Sequence, residues 1–444
     1  MTRQSYAHEL VAAATVPVAL ATLEGGVIGS VARYTFDVSN LGFAALFAAP
    51  MFANVTSLAW SRLAVGRRKV PLITQLMATA LVLIAVLGAL PVNTAGAVML
   101  VSLAVLARCL FAGFVNVRSS VWRANFPRHA RAGITSRFMV LGTLLLAVLP
   151  IGFGLLLDAH PMAFRWLFPA AAAVAVVGVV SFSRIRLRGE PALLRSEQRG
   201  DAAEPADDAT APRQPDGRPH TALSILRYDH RFRRYMACQF CAGVSNMMGI
   251  TAFSLYLVDR LKDHPSKFLL TMILVTTVPL LVASGSMPWW SRRLDRMHIA
   301  RFRVLHGSMW IVNQALNGVA VVTGWLPVAF LTNATFGLVR GGGMPAWALG
   351  HNDFAHAALN AQYMAVHQTL TGIRGAAAPF AGALLFAGWG AATVPGTGVT
   401  VAGFGGIGAW LFMITTALAV AAWLGFLSLS RSLAAEGRDV AEDA

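Results

Sequence analysis

Long apolar stretches separated by short polar ones run along nearly the whole chain. A helix needs roughly 20 mostly apolar residues to cross the ~30 Å hydrocarbon core of a membrane, where only a helix satisfies its own backbone hydrogen bonds. The pattern contains twelve such stretches, six on each side of a polar segment, and therefore predicts an all-α polytopic membrane protein with twelve transmembrane helices. The spans lie near 9–30, 41–61, 70–91, 97–117, 138–157, 163–183, 235–257, 268–290, 302–324, 326–348, 363–387 and 404–429.

The polar segment in the middle divides the chain into two halves. Residues 199–219 are rich in Ala, Pro, Asp and Arg and have little to bury, which predicts a flexible linker. Apolar and basic positions then alternate as in a short helix lying on the membrane surface. We predict an N-terminal six-helix bundle at 1–190, a cytoplasmic linker with an amphipathic segment at 191–232, a C-terminal six-helix bundle at 233–432 and a cytoplasmic tail at 433–444.

Composition supports this interpretation, since 56% of the residues are hydrophobic and 13% are charged. The net charge of +16 comes from arginines concentrated in the loops after the second, fourth and eighth spans. The positive-inside rule places these loops and both termini in the cytoplasm, and we expect a bacterial-type inner membrane. Arg260, Lys262 and Lys267 are exceptions on the predicted outside. The arginines form no separate basic domain, so we expect no nucleic-acid partner.

An internal repeat relates the two halves. The triplet Trp-Ser-Arg begins at Trp60 and again at Trp290, each time in a basic stretch after the second span of its half. At an offset of 225 residues, Trp122 aligns with Trp347 and Met139 with Met364 in one ungapped register. Matches of such uncommon residues indicate a duplication, so the two bundles should be pseudo-symmetric.

Two six-helix halves, a long central loop and a basic turn after the second helix of each half together resemble the major facilitator superfamily of secondary transporters. The signature of that family at this turn is G-x-x-x-D-R-x-G-R-R. The resemblance implies that the matching residues control a conformational change, with the substrate held near mid-membrane between the halves and lined by helices one, four, seven and ten. The matching residues are Gly66, Arg67 and Arg68 in the first copy and Asp295 and Arg296 in the second.

Glu24 is the first candidate for a functional residue inside a span. An ionisable group at the centre of a membrane helix costs at least ~2.5 kcal/mol, so its presence needs a reason. Gly25, Gly26 and Gly29 next to it allow another backbone to approach and the helix to bend. Glu24 could exchange protons or contact substrate; the alternative is a structural ion pair with an intramembrane arginine.

Arg108 in the fourth span and Arg340 in the tenth need an anion, a carboxylate partner or a water-filled cavity, because arginine keeps its charge. They suit an anionic or zwitterionic substrate, but an internal salt bridge such as Arg108 with Glu24 is an equal alternative. Asn246 in the seventh span corresponds roughly to Glu24 and could bind substrate or join helices. For Arg374 in the eleventh span, a structural pairing is favoured.

Cys238 and Cys241 lie one helical turn apart, and with neighbouring methionines they would suit copper(I). The same spacing also serves simple helix packing. The chain has three cysteines and no disulfide framework, and no metal site is expected beyond this weak candidate.

We therefore expect a secondary active transporter, not an enzyme, that moves a small anionic or zwitterionic molecule by alternating access with proton coupling. Because no phosphate-binding loop of the form G-x-x-x-x-G-K-[ST] occurs, ATP-driven transport and a cofactor are not expected. The expected partners are substrate, protons and the bilayer, and the expected state is a monomer. Two alternatives remain: a transporter-like assembly factor or sensor that does not transport, and a copper transporter.

Overall fold

A computed structural model describes residues 2–199, 222–355, 359–393 and 400–436. These residues pack into two units. The first contains the described residues of 1–206 together with Val258–Leu280, and the second contains those of 207–257 and 281–444.

Helices form nearly all of the first unit. A 3-10 turn at Pro161–Ala163 joins two of them, and a π-helical turn covers Ile273–Thr277. The helices are α1 (Thr2–Thr22), α2 (Gly25–Tyr34), α3 (Asn40–Ala64), α4 (Lys69–Leu87), α5 (Thr94–Asn125), α6 (Arg128–Ala159), α7 (Phe164–Ser183), α8 (Glu190–Arg199) and, after the second unit begins in the chain, α11 (Lys267–Met272).

The second unit is also helical and adds one small hairpin. Strands β1 (Ala392–Thr393) and β2 (Thr400–Val401) pair antiparallel, with Ala392 opposite Val401. The helices are α9 (Ala222–Tyr228), α10 (His230–Leu261), α12 (Val278–Leu294), α13 (Ile299–Thr323), α14 (Leu326–Leu349), α15 (Asn360–Ala387) and α16 (Trp410–Ala435), of which α10 and α12 also contribute their Val258–Leu261 and Val278–Leu280 ends to the first unit.

The predicted all-α membrane fold is confirmed, because every predicted span lies mostly on helical residues. Nine helical segments in the described ranges are long and apolar enough to cross a membrane. In α3 the apolar part is shorter, Asn40–Thr56. The other two predicted spans, α13 and α14, carry buried polar residues such as Asn313 and Asn333.

Three local features differ from the simple twelve-span pattern. The first span is broken at Leu23 and Glu24 into α1 and α2, and the eighth is interrupted by the π-helical turn. A hairpin occupies part of the loop before α16. Residues 200–219 of the predicted flexible linker and residues 437–444 of the predicted tail lie outside the described residues.

Each unit has its own apolar core. In the first, Ile28, Ile73, Phe164 and Phe182 are almost fully buried. The core of the second is largely aromatic and includes Phe232, Tyr235, Trp290, Phe302 and Phe426. Large apolar side chains also remain exposed, among them Val98, Trp166 and Trp410, as is expected of surfaces that contact lipid.

The two tryptophans of the repeated triplet occupy equivalent positions. Trp60 lies near the end of α3 and faces Gly113 of α5, where a methyl group would come within 2.9 Å of the indole. Trp290 lies near the end of α12 and faces Gly342 of α14, where a methyl group would come within 2.6 Å. The indole N–H of Trp290 also donates to the carbonyl of Leu338 at 2.7 Å. The packing therefore repeats the sequence pattern.

Candidate functional site

The break between α1 and α2 exposes backbone groups that an unbroken helix would satisfy. Glu24 has extended backbone angles, φ −66° and ψ 144°, and stands at the N-cap position of α2. Its carbonyl accepts from the N–H groups of Val27 and Ile28 at 2.8 and 3.0 Å, which starts the new helix. The carbonyl of Leu23 is left without its place in a helical ladder.

Arg108, on α5, fills this place. Its Nη2 donates to the carbonyl of Leu23 at 2.7 Å and to Oε1 of Glu24 at 2.8 Å. The side chains of Arg108 and Glu24 are 15% and 18% exposed, and Nε of Arg108 is buried without a hydrogen-bond partner. One guanidinium thus stabilises both the broken backbone and the carboxylate, and it retains a donor for another group.

The glycines after Glu24 allow a second backbone to lie directly on α2. The N–H of Gly26 donates to Oγ1 of Thr276, in the π-helical turn, at 3.0 Å. A methyl group at Gly26 would lie 2.6 Å from that oxygen and 3.2 Å from Cα of Met272. Because π-helical turns are frequent at functional sites, this contact marks the region around Glu24 as a candidate site.

The far end of α2 is tied to the Val258–Leu280 segment of the same unit. Arg33 donates from Nε and Nη2 to the two carboxylate oxygens of Asp259 at 2.7 and 3.1 Å. The hydroxyl of Tyr34 is 3.0 Å from the carbonyl of Val258 and 2.8 Å from Oγ1 of Thr271. We name the pairs Arg33–Asp259 and Tyr34–Thr271 the α2 latch.

Two further contacts fix the same segment. Asp158, at the end of α6, accepts from the N–H groups of Phe268 and Leu269 at 2.9 and 3.0 Å and so caps α11. Nζ of Lys267 lies 5.2 Å from the ring centre of Tyr34. Lys267, one of the three basic exceptions to the positive-inside rule, therefore makes a cation–π contact with Tyr34.

The basic turn of the first half is bound by α8. Gly66 has φ +67°, in the left-handed region that favours glycine, and its N–H donates to Oε2 of Glu197 at 2.8 Å. Nζ of Lys69 donates to the same oxygen at 2.7 Å. Arg68 pairs with Glu190 at 3.2 Å and Arg67 is exposed. The signature residues of this copy thus hold the turn, while neither arginine is buried.

The candidates of the second half are more dispersed. Asp295 and Arg296 are exposed after the end of α12. Arg340 lies partly buried on α14, and Asn246 lies partly buried on α10 with its Oδ1 lacking a hydrogen-bond partner. The structure therefore brings Glu24 and Arg108 together but places Arg340 and Asn246 in the other unit, each on its own helix.

Cys238 and Cys241 both lie against α16. The thiol of Cys241 is 3.4 Å from the carbonyl of Leu418, and a methyl group at Gly425 would come within 2.4 Å of Sγ of Cys238. In the parts of the chain that the structure describes, no group of three His, Cys, Asp or Glu side chains is arranged to hold a metal. These contacts are typical of helix packing.

Sequence reasoning missed several acidic partners, among them Asp259 and Glu197. Asp259 was not singled out, although its neighbours Arg260 and Lys262 were noted as unusual for the predicted outside. Glu197 was assigned to the linker, and its position beside the basic turn could not be read from spacing. For both, the only available signal was an acidic residue next to an unexplained basic one.

Comparison with known proteins decides the family. A sequence model described as Major Facilitator Superfamily matches residues 14–379. The chain belongs to the major facilitator superfamily. The resemblance inferred from the basic turns is thereby confirmed. Transporters of this superfamily are generally not enzymes.

Solved structures share the fold of this superfamily member at low sequence identity. The nucleoside transporter NupG is 11% identical with a TM-score of 0.66, covering 96% of this chain and 99% of that one. A POT family transporter in complex with a thioalcohol-conjugated peptide is 12% identical with a TM-score of 0.64, covering 97% and 96%. The xylose transporter XylE from E. coli, in an inward open conformation, is 12% identical with a TM-score of 0.57, covering 96% and 95%. No curated protein matches the chain in sequence.

Proposed function

We propose that this superfamily member is a proton-coupled secondary transporter of a small anionic or zwitterionic molecule, with Glu24 and Arg108 at the site of coupling. The observation that carries the proposal is the ion pair at the break between α1 and α2. Both side chains are partly exposed, so ions can reach them, and Nε of Arg108 has no partner. A helix break that places a carboxylate and a guanidinium together is costly in a membrane unless it serves a purpose.

The charge balance of the pair explains how coupling would arise. With Glu24 ionised, it neutralises Arg108 and the pair has no net charge. When a proton binds to Glu24, Arg108 loses its counter-ion. Arg108 can then bind the carboxylate or phosphate of a substrate instead of the Glu24 carboxylate. For a substrate that carries a single negative charge, protonated Glu24, Arg108 and the bound substrate again sum to zero. Proton and substrate therefore bind together and leave together, so the mechanism is symport.

The segment next to the pair supplies the conformational part of the proposal. The π-helical turn contacts α2 at Gly26, two residues from Glu24. The latch at the other end of α2 holds the same segment through Arg33 and Asp259. A change in the Glu24–Arg108 pair can therefore be passed along α2 to the latch within ten residues, which links site occupancy to opening.

The remaining parts of the proposal concern the setting. We propose that the protein resides as a monomer in the inner membrane, with both termini and the basic turns in the cytoplasm. The arginines in alternate loops support this orientation. Arg340 and Asn246 are proposed as substrate contacts of the second unit, since each is a partly buried polar residue on a predicted cavity-lining helix.

Uptake by proteoliposomes under an imposed proton gradient tests the proposal. The substrate panel should contain amino acids, organic anions, nucleosides, peptides, sugars and copper. We expect gradient-driven accumulation of an anionic or zwitterionic compound, which Glu24→Gln converts to gradient-independent exchange. Arg108→Lys keeps the charge but loses the forked geometry, so KM should rise ~10–100-fold, the equivalent of a charged hydrogen bond of ~1.5–3 kcal/mol.

Asp263→Asn is the matched control, because it removes a carboxylate that is exposed between α10 and α11. This variant should accumulate substrate like the parent protein. If Glu24→Gln retains full accumulation, Glu24 is not the coupling residue. If no compound moves and none shifts the thermal stability, a role as an assembly factor or sensor replaces transport. Accumulation of copper alone would favour the Cys238 and Cys241 alternative.

A further inference from the structure

An open groove lies in the first unit where α4 begins and α7 ends. Its volume is about 840 Å³. One wall consists of Arg68 and residues of the first turns of α4, and the other consists of the segment 183–191, which joins α7 to α8. Neither Glu24 nor Arg108 lines it. We call this cavity the basic groove.

The groove lies at one end of two neighbouring membrane helices. Lys69–Leu87 and Pro161–Ser183 are both long and apolar enough to cross a membrane. They run in opposite directions, because the end of α4 packs on the start of α7: a methyl group at Gly88 would lie 2.6 Å from the carbonyl oxygen of Arg165 and 2.7 Å from Pro169. The start of α4 and the end of α7 therefore reach the same membrane surface, at the level of the lipid headgroups.

The segment after α7 presents arginines to this groove. Ile185 and Leu187 are 4% and 7% exposed, whereas Arg184 and Arg186 alternate with them and are exposed. Successive side chains of an extended segment point to opposite sides, so the two apolar residues hold the segment on the protein. The two arginines are thereby directed outward on the same side.

Asn125, at the end of α5, fixes the backbone of this segment. Its Nδ2 donates to the carbonyl of Arg186 at 3.0 Å, and its Oδ1 accepts from the N–H of Arg188 at 2.9 Å. The side chain of Asn125 is buried, so both bonds are shielded from water. The backbone that bears the arginines is therefore held in place before any ligand arrives, which lowers the cost of binding.

The charged residues of the groove leave an excess of positive charge. Arg68 on the opposite wall donates to Oε2 of Glu190 at 3.2 Å and remains 69% exposed. Three arginines and one glutamate line the groove, and three minus one leaves two positive charges. Arginine binds phosphate through paired donors, and basic pockets between membrane helices accept the headgroups of anionic lipids.

An exposed apolar face of α7 leads from the groove into the membrane. Val176 and Val180 are 46% and 47% exposed. They are four residues apart, and Ser183 at the rim of the groove is three residues further, so all three lie on one helix face. A phosphate in the groove would thus have a continuous apolar surface beside it, which fits the acyl chains of a lipid and has no use for a soluble anion.

We propose that the basic groove binds the headgroup of an anionic phospholipid. Arg184, Arg186 and Arg68 face the phosphate, and the acyl chains lie along Val176 and Val180. The lipid joins the ends of α4 and α7 to the start of α8. This site requires only that α4 and α7 lie in a membrane, so it is independent of coupling at Glu24 and Arg108.

Thermal unfolding of the purified full chain in a neutral detergent tests the proposal. Phosphatidylglycerol is titrated, with phosphatidylcholine and inorganic phosphate as references. We expect a saturable rise in Tm of about 3 °C at a hundred times the Kd of phosphatidylglycerol, since a ligand that binds only the folded state stabilises it. The references should give no such rise. An equal rise with phosphatidylcholine or with inorganic phosphate would overturn the proposal.

Two double variants test whether the groove is responsible. Arg184→Gln with Arg186→Gln should weaken phosphatidylglycerol binding about 30-fold, or about five-fold for each arginine near an anionic membrane surface. Both side chains are exposed, so the fold should be kept. Arg292→Gln with Arg293→Gln is the matched control, because it removes two exposed arginines of α12. Equal weakening by the two double variants would show that surface charge in general attracts the lipid, and would overturn the proposal.

A second readout reports on the groove itself and keeps its arginines. In a background without Cys109, Cys238 and Cys241, Ser183→Cys places an exposed thiol at the rim of the groove, and its reaction with a maleimide is followed. Saturating phosphatidylglycerol should slow this reaction at least five-fold. It should not slow the reaction of Ser119→Cys, an exposed position of α5 outside the groove. If labelling at 183 is indifferent to phosphatidylglycerol, the lipid binds elsewhere and the proposal is wrong.

Discussion

Gly26 determines how closely the π-helical turn can lie on α2. Its missing side chain leaves room for Oγ1 of Thr276 and Cα of Met272, and its N–H bonds to the former. At the same level, one guanidinium at Arg108 bonds both the freed carbonyl of Leu23 and the carboxylate of Glu24. The packing around Glu24 therefore depends on contacts of single atoms. Even small substitutions there should lower the stability of the protein.

Gly26→Ala tests this dependence. The added methyl group would lie 2.6 Å from Oγ1 of Thr276, so the segment must shift and the hydrogen bond must lengthen. We expect a loss of ~1–3 kcal/mol in the free energy of unfolding, typical of overpacking. Thermal or denaturant unfolding in detergent measures it.

Gly152→Ala is the matched control for that experiment. Gly152 lies inside α6, and a methyl group there would meet no atom within 4 Å. Alanine favours a helix by up to ~1 kcal/mol over glycine, so this variant should be neutral or slightly more stable. Equal destabilisation by both substitutions would show that the close approach at Gly26 is unimportant.

At the scale of elements, the short helix α8 is attached to the turn that joins the two longer helices α3 and α4. Glu197 accepts from the N–H of Gly66 and from Nζ of Lys69, whose side chain is 4% exposed. Arg68 and Glu190 meet nearby, but the arginine side chain is 69% exposed. Of the two ion pairs between α8 and the turn, the buried one should provide most of the attachment.

Glu197→Gln and Glu190→Gln compare the two pairs. The first leaves Lys69 buried without a carboxylate, so we expect a loss of ~1–3 kcal/mol and faster hydrogen exchange in 64–69 and 190–199. The second removes an exposed pair and should change stability by less than ~1 kcal/mol. Hydrogen exchange measured by mass spectrometry resolves both segments. A larger effect of Glu190→Gln would reverse this assignment.

At the scale of the whole molecule, the α2 latch matters because Val258–Leu280 packs with the first unit although it continues into α10 and α12. A two-donor arginine contact to a carboxylate is specific in geometry. Its side chains are 21% and 40% exposed, so solvent weakens the pair to about 1 kcal/mol. Such a contact can hold a segment in one state and still release it during a transport cycle.

Charge reversal tests the latch. In a background without Cys109, Cys238 and Cys241, we place a cysteine at Val258, which is 1% exposed, and follow its reaction with an impermeant maleimide. Arg33→Asp should raise the labelling rate about five-fold, the equivalent of ~1 kcal/mol, and Asp259→Arg in the same chain should return it toward the parent rate.

Lys262→Asp is the control for charge reversal, because it makes the same change at an exposed residue of the adjoining loop. It should leave labelling unchanged. A labelling rate that does not respond to Arg33→Asp, or a double variant that labels like the single one, would contradict a latch formed by this pair.

The sequence was sufficient for the helices and the family, and it offered the pairing of Glu24 with Arg108 as one of two open alternatives. Glu24 and Arg108 could be considered as partners because ionisable residues are scarce in apolar spans and each needs an explanation. Ionisable residues are not scarce at the ends of spans, where a charged side chain reaches water at little cost in free energy. Asp259 is 226 positions from Arg33, and nothing local distinguishes it from other acidic loop residues.

Arg303 illustrates a second reason. Arg303 is the second residue of the predicted span 302–324, where a basic side chain would ordinarily reach water at the membrane surface. Its burial depends on α13 packing within the second unit, which periodicity does not reveal. Only packing shows that Arg303 is buried, with 5% of its surface exposed.

The contacts of Trp60 with Gly113 and of Trp290 with Gly342 couple positions that are far apart in the chain. In each pair the indole occupies the volume that any larger residue at the glycine would need. A larger residue at the glycine must therefore be matched by a smaller residue at the tryptophan of the same pair. Each pair can be repacked in this way without a change in the other pair. In related chains, we expect residues 60 and 113 to change together, and residues 290 and 342 to change together. Changes in one pair should not depend on changes in the other pair.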